Sequence, residues 1–486
     1  MSALKKLASQ TAIYGLSSIV GRFLNYLLVP IYTRFFLPEE YGVVSEFYAY
    51  SGFLSVLLTF GMETGFFRFA KDERFTKVYS TILQFLIASS LFFVALIAFF
   101  STPLADSLQY KGFEHYFIWF AIIIACDAIG ALPFAKLRQE ENAVRFAVVK
   151  LLEIGVNVGL NFVFIYLLQK SKTENISWFN PSLGVGYIFI ANLVASAIKL
   201  LLLSDKLIAV KNGFDAAFIK TALRYSLPMV IIGFAGIINE MLDRMSMKFL
   251  LPGTIKENLA QLGIYAACYK VSIVMSLFIQ AFRFAAEPFF FSHAKEKNSR
   301  QLYADVMNWF MLFCSCIFVL VTIYLDWFGL FVGANYREGL FIVPILLLAN
   351  MFLGAYVNLS IWYKLSDKTA LGALVSIVGS LVTITLLYWW IPQFGYEGAA
   401  WATLACYAFM AIASYLLGQK FFPVPYNLWR LFFFLAVCVA VWLVAICVNY
   451  STSDMKNAYQ FALFAFAIFV LLFSERKNLK KITNRL

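Results

Sequence analysis

The sequence predicts an all-α polytopic membrane protein, and three observations carry that prediction. Of its 486 residues, 62% are hydrophobic and only 14% are charged, more apolar surface than a soluble core can use. Uninterrupted apolar runs recur from one end to the other, each long enough as a helix to cross roughly 30 Å of hydrocarbon. The 39 Lys and Arg are also unevenly placed: 25 gather at or beside alternate connections and 7 at the others. That is the bias of a chain threaded repeatedly through a bilayer.

Taken in order, about fourteen spans are expected, near 12–33, 41–67, 79–102, 113–135, 146–169, 183–204, 224–250, 261–291, 303–329, 339–363, 369–391, 396–419, 428–449 and 457–474. The first continues into Arg34 and Pro38 with no small-residue cleavage site, so it reads as a signal anchor. An even count puts both termini on one side, and the basic bias makes that side the cytoplasm; "SERKNLKKITNRL" at the C-terminus agrees. The net charge of +12 then reports topology and anionic headgroups, with no nucleic-acid partner. All seven cysteines fall within spans without metal-ligand spacing, and only His115 and His293 are present. No structural metal, disulfide or cofactor is expected.

The longest connection, 205–223, contains the amphipathic "NGFDAAFIKTALRYSLP" and is too short to fold as a catalytic domain. Transport is therefore favoured over an enzyme such as a polysaccharide polymerase or ligase. "TRFFLPEEYGVVSEFYAYSGF" (33–53) aligns with "MKFLLPGTIKENLAQLGIYAACYKVSI" (247–273), pairing Pro38 with Pro252, Gly42 with Gly263 and Asn25 with Asn239. Six spans separate the copies, so the halves run parallel, related by a pseudo-two-fold along the membrane normal. The expected division is a first lobe over 1–204, an interfacial linker over 205–223, a second six-helix lobe over 224–422, and two extra helices with a basic tail over 423–486.

Charges inside apolar spans must face water or one another. Tyr14, Ser18, Arg22 and Asn25 form one polar stripe; Ser51, Ser55, Thr59 and Glu63 form a second at i+4 spacing; Lys150, Glu153, Asn157 and Asn161 form a third. The second half offers Asn239, Glu240, Asp243, Arg244 and Lys248, then Lys270, Arg283 and Glu287, then Asn350 and Asn358. Such stripes would line a shared hydrated cleft. Glu240 with Arg244, and Arg283 with Glu287, sit at i,i+4 and are equally readable as internal pairs. Lys150 and Glu153 lie near the interface and read as snorkelling, Lys199 and Lys248 as anchors at span ends, and Asp127 as an ion site or a satisfied core acid. Arg22, mid-span and without an acidic neighbour at helical spacing, is the first candidate for an anionic ligand, because a guanidinium forks onto phosphate oxygens. Tyr48, Tyr265, Tyr269 and Trp362 are candidates for sugar faces, with a core role as the default.

The fourteen spans, "GRFLNYLLVPIYTRFFLPEEYGVVSEFYAY", and "DRMSMKFLL" followed by "LGIYAACYK" and "AEPFFF" together resemble the polysaccharide-transporter branch of the multidrug/oligosaccharidyl-lipid/polysaccharide exporter superfamily, the Wzx-type flippases. The resemblance implies two lobes around a V-shaped cleft and alternating access. It also implies movement of an undecaprenyl-pyrophosphate-linked oligosaccharide from the cytoplasmic to the periplasmic leaflet of a bacterial inner membrane, for surface polysaccharide such as lipopolysaccharide. Expected partners are that lipid-linked glycan, membrane lipids, and a polysaccharide polymerase with other assembly proteins.

On that resemblance Arg22, Arg244 and Arg283, with Lys270, are the matching pyrophosphate contacts, and Asn25 and Asn157 belong to the same cleft. Glu63 stands where the family often brings a base. A proton or sodium gradient would act through Glu63, Asp127, Asp243 or Glu287. A multidrug or cation antiporter of the same superfamily would show an acidic, aromatic cleft instead, and a lipid II flippase would lack the "YGVVSEFYAY" type of second span.

Overall fold

The computed structural model describes residues 19–70, 75–171, 179–208, 213–294, 298–449 and 455–475, together with Gly15, Ser17 and Glu296. The described residues are all-α, and eleven of their helices are long and apolar enough to cross a membrane. Tyr14, Ser18 and the basic C-terminal tail lie outside the described residues. The chain forms two compact units, residues 1–263 and 264–486. The boundary falls after the expected linker, because the helix that was to open the second lobe packs in the first unit.

In the first unit, α1 (19–26) ends in a turn and gives way to α2 (Val29–Phe35). Span two begins at α3 (Pro38–Thr59), where Pro38 fills the first turn and Glu40 Oε2 accepts the Leu37 amide at 2.8 Å. It breaks at Phe60 and Gly61, both in the left-handed region, and continues as α4 (Met62–Phe69). Next come α5 (Phe75–Phe99), α6 (Ser101–Ser107), α7 (Glu114–Gln139) and α8 (Ala143–Lys170). The sixth span is the shorter α9 (Gly186–Leu202), followed by α10 (Ser204–Ile208).

Asp215 caps α11 (Ala216–Leu250), accepting the Phe218 amide at 3.0 Å. The expected linker, 205–223, starts in α10, and its last eight residues, 216–223, are the first two turns of one 35-residue helix. That helix packs on α3, α4 and α5. Phe47 of α3 centres the core of this unit, its ring 5.0–5.9 Å from those of Tyr110, Tyr116, Phe117, Phe120 and Phe189.

The second unit takes the end of α12 (Ile255–Val271), then α13 (Ile273–Ser292), α14 (Ser299–Ile323) and the short α15 (Leu325–Gly329). A 3-10 segment, Ala334–Ile342, leads into α16 (Val343–Leu359) and α17 (Ile361–Leu365). The 53 residues of α18 (Thr369–Phe421) are two helices joined at Gly395, whose φ of 63° only glycine adopts without strain. Cys406 Sγ lies 3.4 Å from the Gly379 carbonyl, so the two arms run side by side as the expected eleventh and twelfth spans. The last helices, α19 (Leu428–Asn449) and α20 (Lys456–Ser474), pack on α14.

The repeat has a physical counterpart in the first unit. A Cβ at Gly42 would stand 2.0 Å from the Leu259 carbonyl oxygen, and one at Gly263 would stand 1.9 Å from that of Pro38. The two glycines that the internal alignment pairs are therefore the points where α3 and α12 touch backbone to backbone. Gly42→Ala and Gly263→Ala should each destabilise the protein by about 1–3 kcal/mol through overpacking. Thermal unfolding of the purified variants reads this, and an unchanged midpoint for either would contradict the close crossing.

Candidate functional site

Among the described residues of the first unit, three groups of charges hold the candidate residues. The deepest joins α3 to α11. Lys248, read from sequence as an anchor, is fully buried (0% exposed), as is Glu46. Lys248 Nζ lies 3.4 Å from Glu46 Oε2, donates to the Leu108 carbonyl at 2.5 Å, and sits 3.5 Å from the centre of the Tyr110 ring. Tyr50 and Tyr110 each donate a 2.5 Å hydrogen bond to one oxygen of Glu46. Both ions are matched without solvent, which is what burial of a pair requires. Glu46, with Tyr50 one turn on, is not among the residues singled out from the sequence, although it lies well inside an apolar span. Lys248 looked like an anchor because the sequence shows its distance to the span end and not the carboxylate facing it.

The second group lies where α4, α7, α8 and α9 converge, around a cavity of 340 Å³ lined by Glu63, Asp127, Arg138, Lys150, Glu153 and Lys199. Lys199, also expected to be an anchor, is 3% exposed and bridges two carboxylates. It pairs with Asp127 and, at 2.8 Å, with Glu153. Lys150 holds the other Glu153 oxygen at 2.9 Å, and Ser196 donates to Asp127 at 3.1 Å. Asp127 is thus one end of a chain of alternating charges, and Lys150 and Glu153 are members of it, which corrects their snorkelling reading.

Glu63 departs further from expectation. The break at Phe60 takes it off the helix carrying Ser51, Ser55 and Thr59, and it pairs with Arg138. Ser55 and Thr59 donate to the carbonyls one turn back, at 3.0 and 2.9 Å, so their stripe satisfies itself. At the adjacent rim Arg145 forks onto Asp205, at 2.8 and 2.5 Å, and holds that carboxyl below its ordinary range.

The third group holds the leading candidates. Arg22 and Asn25 are exposed on α1. Asn157 donates to Asn25 at 3.5 Å and accepts from Asn161 at 3.1 Å, so the two predicted asparagines meet. Tyr26, one helical turn after Arg22 and next to Asn25 in sequence, lies within electrostatic reach of Arg22, Arg244 and Glu240. Arg244 is buried; it donates to the Glu240 carbonyl at 2.8 Å and pairs with Asp243 at 3.7 Å. The i,i+4 partner therefore supplies its backbone oxygen, while the Glu240 side chain is exposed. Arg22 and Arg244 were expected on opposite lobes; both belong to the first unit.

In the second unit Glu287 pairs with Lys364 and not with Arg283, a correction to the i,i+4 reading. Arg283 is exposed and lines a cavity of 10 Å³, space for about one water, with Glu287, Lys364 and Asn358. Lys270 is half-buried near the end of α12. Tyr265 and Trp362 are core residues, 0% and 1% exposed, and the Trp362 indole donates to Ser414 at 3.1 Å. Tyr48 accepts from Asn192 at 3.2 Å.

A family model described as polysaccharide biosynthesis protein matches residues 7–294, more than half of the chain. The chain belongs to that family. No curated protein matches the sequence. Among solved structures, the lipid II flippase MurJ in an inward closed conformation aligns with a TM-score of 0.76 at 14% identity, over 96% of this chain and 99% of that one. An inward-facing multidrug resistance MATE family transporter of the MOP superfamily aligns at 0.62 and 15% identity, over 86% and 98%. This member of the polysaccharide biosynthesis family is thus a multi-pass membrane protein with the fold of the superfamily its sequence resembles.

The buried pair gives a stability prediction. Lys248→Met alone should destabilise by about 3–5 kcal/mol, because Glu46 is left as an uncompensated buried charge. Combining it with Glu46→Gln should recover much of that loss. Detergent-solubilised thermal unfolding measures both, and a double variant no better than Lys248→Met would refute the coupling.

Proposed function

We propose that the protein is a flippase that carries a polyprenyl-pyrophosphate-linked oligosaccharide across the bacterial inner membrane for surface polysaccharide assembly, both termini cytoplasmic. The observation that carries this reading is two arginines in one unit, Arg22 exposed on α1 and Arg244 buried on α11, where Asp243 and the Glu240 carbonyl hold it. A pyrophosphate cannot cross hydrocarbon bare, and two forked cations match its charge and geometry. Asp243 and the Glu240 carbonyl hold Arg244 when the site is empty and yield it to the anion. Asn25 and Asn157 lie beside Arg22 to take the first sugar hydroxyls. The family supports a polysaccharide cargo.

Coupling to a proton or sodium gradient is assigned to the charge chain Asp127–Lys199–Glu153. Protonating either carboxylate breaks a bridge between α7, α8 and α9. Glu63, Asp243 and Glu287, each already matched to a cation, are secondary candidates. A second reading, lipid II as the cargo, is favoured by one observation, the near-complete alignment with MurJ. It uses the same pyrophosphate chemistry.

Arginine-to-lysine replacement keeps the charge and loses the fork. Arg22→Lys and Arg244→Lys should each lower glycan export about tenfold or more in cells, with protein levels unchanged on an immunoblot. Full export by both Arg22→Ala and Arg244→Ala would refute the clamp. Complementation of a strain lacking its lipid II flippase, without restoring polysaccharide export, would decide for the second reading.

A further inference from the structure

At one end of the second unit the start of α14 and both ends of α18 bring three cations to two adjacent rings, Phe421 and Phe422. Lys368, the residue before α18, sets its ammonium 3.9 Å from the centre of the Phe421 ring, and Lys420, in the last turn of α18, lies 5.6 Å from the same ring. The Arg300 guanidinium, in the first turn of α14, is 5.0 Å from the Phe422 ring. Both rings are fixed in turn by buried aromatics. Trp362 stacks on Phe421 at 6.1 Å with planes 15° apart, and Tyr303 stacks on Phe422 at 6.4 Å and 28°. A packed aromatic layer therefore holds the rings, and the rings hold the cations.

The charge balance identifies the ligand's sign. Lys364 and Arg430, at the same end, are matched to Glu287 and Glu475, whereas Arg300, Lys368 and Lys420 make no ion pair among the described residues. Asp367 is exposed beside Lys368 in sequence and offsets one charge of the three, which leaves a cationic excess. Position identifies the source. Both α14 and α18 are long and apolar enough to cross a membrane, so their shared end lies at its surface. One and two turns back from Lys420 on the same helix face, Leu416 and Ile412 are 62% and 57% exposed, an apolar track that leads into the bilayer from the cation. A soluble anion has no use for that track, and an acyl chain does. We propose that this cluster binds the phosphodiester headgroup of an anionic phospholipid, one acyl chain lying along Leu416 and Ile412. Cations already held in place lose little freedom when the headgroup arrives. By the proposed topology the leaflet is the cytoplasmic one, and the identity of the transported cargo plays no part in the site.

The test is native mass spectrometry on the delipidated full-length protein, titrated with phosphatidylglycerol, cardiolipin, zwitterionic phosphatidylethanolamine and inorganic phosphate. Saturable binding of at least one anionic lipid is expected, about tenfold or more tighter than that of phosphatidylethanolamine. Arg300→Gln, Lys368→Gln and Lys420→Gln should each weaken it about fivefold, and the triple variant should abolish the preference over phosphatidylethanolamine. Arg430→Gln, which removes a neighbouring cation already matched to a carboxylate, should leave it unchanged. Should the triple variant fail to fold, the three single variants decide. Equal binding of phosphatidylethanolamine, binding indifferent to the three substitutions, or a loss with Arg430→Gln as large as with Lys420→Gln would each overturn the proposal. Displacement of the lipid by inorganic phosphate at comparable affinity would overturn it in favour of a soluble anion.

Discussion

A charge placed in hydrocarbon must find a counter-charge or water, and that requirement decides which helices of the first unit lie side by side. Lys248 and Glu46 hold α11 against α3, and Lys199 joins α9 to α7 and α8 through two carboxylates. Apolar packing alone is a weak guide to partner choice among helices that are greasy on every face, since lipid competes with any neighbour for the same surface. Matched ions do not have that ambiguity: each has one site where its cost is offset. The polar residues are few, and they fix the register of the rest.

The same rule separates two kinds of ion in this chain. Glu46 has both oxygens occupied by tyrosines and a lysine beside it, with no solvent, so it has nothing left to offer a substrate. Asp127, by contrast, lines a cavity and shares Lys199 with Glu153, so a change at one carboxylate is felt at the other. Arg22 is exposed on its helix, while Arg244 is buried against its own backbone. Burial and partner count thus separate ions whose bonding is filled, such as Glu46, from ions that still face a cavity or solvent, such as Asp127 and Arg22.

Much of the fold was legible because its signal is one-dimensional. Length and hydropathy located nearly every long helix, including the pair hidden in α18, since Pro392 and Gly395 punctuate it. The site was legible only in part. Asn25 with Asn157 follows from two polar stripes, whereas Glu287 with Lys364 joins residues 77 apart and no helical spacing announces it. Lys199 and Lys248 were misread for the same reason: proximity to a span end is visible in sequence, and the carboxylate on a neighbouring helix is not. The break at Phe60, a non-glycine in the left-handed region, carried no warning either, and it moved Glu63 to another partner.

The glycine crossing has a mechanical consequence. Where α3 meets α12, each carbonyl oxygen reaches toward a glycine Cα, an arrangement suited to weak C–H···O bonds. Such bonds are shallow and tolerant of angle, and the atoms nearest each glycine are backbone. Two helices joined through knobs and holes must unmesh before they turn. Two joined through bare backbone can swivel on the contact as on a bearing, keeping their separation while their far ends sweep, and the duplicated sequence has put the smooth half of that bearing on each partner.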